Sequence, residues 1–264
     1  PDRKFKIKTY DFKRPDKFSK EQIRTIAIMH ETFARLSSSM LSALIRKEVK
    51  VHVASVDQLT YEEFLKSIPS PTLIGIVNMD PLPGMVLLQI DNPFFSSLED
   101  RIFGGVGEIS HEKKDITELE EKLADKIISK ELTLLSEAWQ IVIDISPKLG
   151  QIETNPQFCQ IVPPTEMIVL VTFEAAISSN ETAMINLAIP YIVIEPIISR
   201  LTPRYIYRFA GKGGKLHPAA QIHTAELQNS MEIYIEGPEL SLTELAELQT
   251  GKLLGLPGIE KNEA

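Results

Sequence analysis

The stretch Ile102–Glu108 reads I-F-G-G-V-G-E, and it sets Gly104, Gly105 and Gly107 within four positions of a chain that has 13 glycines in 264 residues. Glycines gather where the backbone needs positive φ, or where a phosphate or another chain comes close to the main chain. The phosphate chemistry fails on spacing. G-G-V-G-E-I-S lacks the G-x-G-x-x-G pattern and does not join a strand to a long helix. At the second cluster Lys215 follows Gly214, but Phe209 stands where G-x4-G-K-[ST] needs its first glycine, and Leu216 where it needs a hydroxyl. Metal chemistry fails too. His30-Glu31 opens like H-E-x-x-H but meets Ala34, and the five histidines (30, 52, 111, 217 and 223) never fall at ligand spacing. Cys159 is the single cysteine, and no G-x-S-x-G elbow is present. His30 lies between Met29 and Phe33 on a helical stripe and reads as a surface or capped core histidine. No catalytic, cofactor-binding or metal-ligating residue is assigned. The glycines are left with two readings: a docking loop or a flexible linker.

The elements around that loop repeat. S-K-E-Q from Ser19 is a capping box, and Ile23, Ile26, Met29, Phe33, Leu36, Met40 and Leu44 follow at helical spacing, then Val49, Val51 and Val53 alternate. T-E-L-E from Thr117 is a second box, followed by Leu119, Leu123, Ile127, Leu132, Leu135 and Trp139, with Ile141, Ile143 and Ile145 alternating as a strand. Phe64-x4-Pro69 before L-I-G-I-V-N (73–78) returns as Phe158-x4-Pro163 before M-I-V-L-V-T (167–172), an offset of 94. Leu88-x-Ile90 before Pro93-Phe94 returns as Ile185-x-Leu187 before Pro190-Tyr191, an offset of 97. Each copy ends in a short helix, 96–103 and 192–201. A collinear series of this length indicates tandem duplication. The near-continuous apolar runs at 73–77, 85–90 and 167–171 indicate a sheet covered on both faces. The expected fold is α/β, a pseudo-two-fold duplicated α/β/α layered domain.

Its expected organisation is a basic arm at 1–18, a duplicated domain at 19–207 with repeats 19–107 and 116–207, a linker at 208–228, and a small β-rich module at 229–264. The module reads as incomplete. Net charge is −8, yet residues 1–20 hold eight Lys/Arg against three Asp, a net of +5. The acidic remainder argues against a nucleic-acid partner. No apolar run reaches the roughly 20 residues of a membrane span, the N-terminus lacks the apolar core of a signal peptide, and one cysteine suits a reducing cytoplasm.

Four motifs in order, D-F-K-R-P-D-K-F-S (11–19), V-D-Q-L-T-Y-E-E-F (56–64), D-R-I-F-G-G-V-G (100–107) and N-L-A-I-P-Y-I-V-I-E-P-I (186–197), closely resemble the FliM family of bacterial flagellar motor switch proteins, over about residues 10–207. The resemblance implies a middle domain related to CheC and CheX, and a non-enzymatic switch subunit of the flagellar C-ring. It would sit at the cytoplasmic face of the inner membrane at the basal body. The implied contact with the rotor protein FliG falls on Asp100, Arg101, Phe103, Gly104, Gly105, Val106 and Gly107. Neighbouring subunits of a ring are further implied partners, and 240–256 resembles the middle of FliN, which implies FliN as a partner through that module. The acidic-hydrophobic segment that captures phosphorylated CheY is not among these residues, so that capture is not assigned to them. The competing reading is a CheY phosphatase of the CheC/CheX class, which uses an E-x-x-N pair on the first helix of a repeat. Neither long helix contains an asparagine, Glu31 is followed three residues on by Ala34, and Glu137-x-x-Gln140 is the nearest approximation. No cofactor is implied.

Overall fold

The computed structural model describes residues 17–107, 116–177, 182–203 and 205. The basic arm before Lys17, the 178–181 turn, the linker and the C-terminal module of the sequence reading lie outside those residues.

Helix α1 (Lys20–Ile45) begins where Ser19 Oγ accepts the Gln22 N–H and the Gln22 side chain accepts the Ser19 N–H. Its apolar stripe buries Ile26, Met29, Phe33, Leu41 and Ile45, and it ends at Arg46 with φ 52°. Strand β1 (Val49–Thr60), helix α2 (Tyr61–Ser67), the hairpin β2 (Leu73–Asp80) and β3 (Met85–Ile90), and helix α3 (Asn92–Ile102) complete the first repeat. Helix α4 (Glu118–Trp139) opens the second with the capping box of Thr117 and Glu120. Strands β4 (Ser146–Glu153), β5 (Met167–Ile177) and β6 (Thr182–Pro190) follow, then α5 (Tyr191–Ile194). Removing the Thr117 hydroxyl takes away the side-chain acceptor of the Glu120 N–H. Thr117→Ala is therefore expected to cost about 1 kcal/mol, a fall in Tm of about 3 °C. An unchanged Tm in a thermal scan would show that the cap contributes nothing.

The six strands form one antiparallel sheet in the order β1-β5-β6-β3-β2-β4. Exchanging the repeats (β1 for β4, β2 for β5, β3 for β6) returns the same order reversed, which is the pseudo-two-fold. Each repeat's first strand leaves its own hairpin and pairs with the other's: β1 with β5, β4 with β2. The axis passes between β3 and β6, where Leu88 lies opposite Leu187. Equivalent residues meet across it. Asn186 Nδ2 donates to Gln89 Oε1 at 2.6 Å and Ser37 Oγ donates to Glu131 Oε1 at 2.8 Å, pairs separated by 97 and 94 residues, the offsets of the repeat.

Both sheet faces are covered, as the continuous apolar runs require. On one face α1 and α4 lie antiparallel over the large core, with Trp139 beside His30 and Glu131 beside Ser37. On the other, a thin layer of α2 and the 3₁₀ turn Pro156–Phe158 covers Ile74, Ile76, Leu87, Ile168 and Ala188.

Three local expectations are corrected. Ile141–Ile145 is a turn, not a strand: the N–H groups of Val142 and Ile143 both donate to the Trp139 carbonyl at 2.9 Å, and β4 begins at Ser146. The last helix is α for only Tyr191–Ile194 and 3₁₀ for Glu195–Arg200, because Pro196 lacks an N–H and its ring crowds the carbonyl four residues back. Phe64 and Phe158 occupy equivalent sequence positions, but Phe64, on α2, is fully buried whereas Phe158 is 68% exposed.

Candidate functional site

The glycine loop is built on the last turn of α3. Phe94, Phe95, Ser97 and Leu98 anchor that helix in the core. Ser97, Asp100 and Arg101, spaced three and four apart, share one helical face, and all three reach the loop. Ser97 Oγ donates to the Gly107 carbonyl at 2.8 Å, and the Gly107 N–H donates to Asp100 Oδ2 at 2.7 Å. The Arg101 guanidinium donates to the Val106 carbonyl. The main chain closes the rest: the Gly105 N–H donates to the Asp100 carbonyl at 2.8 Å, and the Gly104 N–H to the Arg101 carbonyl at 3.1 Å.

Each glycine now has a cause. Gly104 has φ +95° and Gly107 φ +75°, values that side-chain-bearing residues rarely adopt. A Cβ on Gly105 would lie 2.2 Å from the Asp100 carboxylate, and one on Gly107 would lie 2.3 Å from Arg101 Nε. The loop is therefore a stapled turn, which disfavours the linker reading. It also changes what the loop can offer. The N–H groups of Gly104, Gly105 and Gly107 and the carbonyls of Val106 and Gly107 are already engaged inside it. What faces outward is apolar: Phe103 at 58% and Val106 at 68% exposure. Of the seven positions singled out in the sequence, Asp100, Arg101 and the three glycines shape the loop, and Phe103 and Val106 form its surface. Ser97, missed in the sequence, is the third staple; its spacing from Asp100 and Arg101 was the available signal.

The remaining reactive side chains are structural. His30 is fully buried. Its Nδ1 bonds the Ile26 carbonyl at 2.8 Å and its Nε2 accepts from Trp139 Nε1 at 3.4 Å, an arrangement that suits the neutral ring. Burial lowers its pKa to about 4. Burial raises the Cys159 thiol to about 11, which leaves it unreactive. Glu31 is exposed on α1 but is followed three residues on by buried Ala34, and exposed Glu137 at the end of α4 is followed by Gln140, so neither helix sets an asparagine three residues after a glutamate as the phosphatase pattern requires. Among the described residues no group of three or more His, Cys, Asp or Glu could hold a metal, and no helix is long and apolar enough to cross a membrane.

Sequence and structure comparisons agree with the fold. The family model described as Flagellar motor switch protein FliM matches residues 19–206. The FliM of Borreliella burgdorferi is 48% identical over 96% of this chain and 73% of its own length. Among solved structures, the FliG–FliM complex of Helicobacter pylori superposes with a TM-score of 0.66 at 34% identity, covering 69% of this chain and 99% of that one. Thermotoga maritima FliY shares the fold at a TM-score of 0.62 and 14% identity, over 73% of this chain and 99% of that one.

Proposed function

The chain belongs to the FliM family of flagellar motor switch proteins, and from that premise we propose that it is a rotor subunit of the flagellar switch that docks FliG through the Phe103–Gly107 loop. The observation that carries this reading is the exposed pair Phe103 and Val106, held outward by a loop that Ser97, Asp100 and Arg101 staple to α3. A stapled apolar knuckle loses little conformational freedom on binding, and a few anchor residues carry most of an interface's energy. The crystal structure of FliG with the H. pylori relative supports the choice of partner.

In this reading the protein assembles side by side in a C-ring at the cytoplasmic face of the inner membrane and sets rotation direction. It does so by a change of subunit arrangement, and a contact difference of about 1–3 kcal/mol per site is enough for such a signal. FliN is the expected partner of the C-terminal module, and phosphorylated CheY the expected source of the signal. The CheY phosphatase reading has no support from the positions of Glu31, Ala34, Glu137 and Gln140.

The test is a binding titration of the full chain against FliG. Val106→Asp puts a charge at the exposed tip without touching a staple, and is expected to weaken binding by about 30-fold or more, the hot-spot range of 2 kcal/mol. Asp100→Ala, which frees the Gly107 N–H, is expected to weaken binding through loss of loop shape while Phe103 and Val106 remain. If Val106→Asp and Phe103→Ala both fold and bind FliG as tightly as the unchanged chain, the knuckle is not the docking surface.

A further inference from the structure

Helices α1, α3 and α4 do not close completely where they meet over the sheet. Between them lies a cavity of about 10 Å³, walled by Phe33 and Leu41 on α1, Phe94 and Leu98 on α3, and Ile127 on α4. All five side chains are buried. Two lining residues are polar, Ser37 and Glu131, and they meet across the two long helices.

A cavity with hydrocarbon walls alone stays dry. The carboxyl changes that. Glu131 is 5% exposed, and its Oε1 accepts from Ser37 Oγ at 2.8 Å. Its Oε2 is also buried, and among the described residues no donor or acceptor reaches it. Burial raises the pKa of this carboxyl to about 7, so in mildly acidic solution it carries a proton. With Oε1 already accepting from the serine, that proton belongs on Oε2. The orphaned atom is then a buried O–H donor, and a buried donor without an acceptor is costly.

The group that relieves this is narrowly defined by size and chemistry. A volume of about 10 Å³ is the room that one water-sized sphere needs. The occupant must accept from the O–H of the protonated acid, and must donate to the carboxylate that replaces it at higher pH. It also needs a second polar neighbour. Ser37 Oγ gives its hydrogen to Oε1 and keeps lone pairs that accept. Water meets all of these requirements. An ammonium ion cannot accept, and an apolar guest can do neither.

We propose that this cavity is a hydration site, in which one internal water is held by Glu131 Oε2 and Ser37 Oγ between α1, α3 and α4. The duplication supplies both halves of the site. Ser37 and Glu131 stand 94 residues apart, at equivalent places in the two repeats. The short side chain leaves the room, and the long one brings the second oxygen. The occupant bears on how closely α3, which carries the glycine loop, settles on the two long helices.

Crystal structures of the full chain and two variants test this. The unchanged protein shows a density peak about 2.8 Å from both Glu131 Oε2 and Ser37 Oγ. Glu131→Gln keeps an oxygen and a donor at the site and retains the peak. Glu131→Leu removes both oxygens in an apolar setting and loses it. Two results overturn the proposal. One is the same peak in the Glu131→Leu protein, which would mean that the carboxyl does not hold the water. The other is absence of the peak in the unchanged protein, a readout that stands even if the leucine variant fails to fold.

Discussion

Replacing Trp139 by alanine is expected to lower the stability of the domain by about 4 kcal/mol. The indole is 2% exposed at the last turn of α4, where it fills the space between the two long helices. Its ring stands edge-on to His30 at 6.0 Å, His30 leans on Phe173 at 6.1 Å, and Phe173 meets Phe33 at 5.3 Å. Truncation opens a cavity at the head of this aromatic chain and removes the N–H that His30 Nε2 accepts. Trp139→Phe keeps most of the volume and is expected to cost about half as much. Urea unfolding of both variants measures the difference; a loss below about 1 kcal/mol for alanine would mean the indole does not hold α1 to α4. The same site predicts an acid limb. Because burial holds the His30 pKa below its ordinary value, at about 4, its share of stability is present above pH 6.5. That share is lost as the pH falls toward 4.

The second large effect has the opposite sign of pH dependence. Glu131 is 5% exposed among apolar neighbours, Ser37 donates to its Oε1, and its Oε2 has no partner. Burial raises its pKa from 4.5 to about 7. The folded protein therefore keeps a proton that the unfolded chain gives up. Stability associated with this group is complete below pH 4.5, falls as the pH rises through 7, and is level above that. The span corresponds to about 3 kcal/mol at about 1.4 kcal/mol per pH unit. Glu131→Gln, neutral at every pH and able to accept the Ser37 bond, is expected to abolish that fall and to be the more stable protein at pH 8. Denaturation midpoints at pH 5, 7 and 8 measure this. If the two proteins respond alike to pH, Glu131 does not titrate in the core.

Much of this architecture was readable in the residue order. Ser19 with Gln22 and Thr117 with Glu120 marked both long helices, and the 94- and 97-residue offsets announced a duplicated fold with a two-sided core. Those features are local or periodic, so sequence records them directly. A third capping box, Thr60 with Glu63, was equally legible in T-Y-E-E and was passed over. What misled was periodicity without context. Ile141, Ile143 and Ile145 alternate, but the backbone there is still turning off the end of α4. Equivalent position was a poor guide at Phe158, because the second repeat replaces α2 with a 3₁₀ turn and leaves that ring outside. The loop was visible as a cluster of glycines, yet their cause depends on where Asp100 and Arg101 point, which no spacing rule supplies. Glu131 sat in the apolar stripe of α4 between Ile128 and Leu132, a carboxylate at a core position that could have been noticed from the sequence.

The crossed pairing of the repeats has a consequence for synthesis. Among the described residues β1 pairs with β5 alone, so Val49–Thr60 cannot be completed until Met167–Ile177 has been made. At the usual 5–20 residues per second, the interval from Thr60 to Ile177 is on the order of 10 s. Through that time the nascent chain carries β1 without the strand that pairs with it, and the apolar side chains of its buried face stay uncovered. A ribosome stalled after the first repeat would present a sticky half rather than a finished domain, and two such halves could satisfy each other only by trading strands. Chaperone occupancy on the emerging chain should therefore rise after β1 and fall once β5 has left the tunnel.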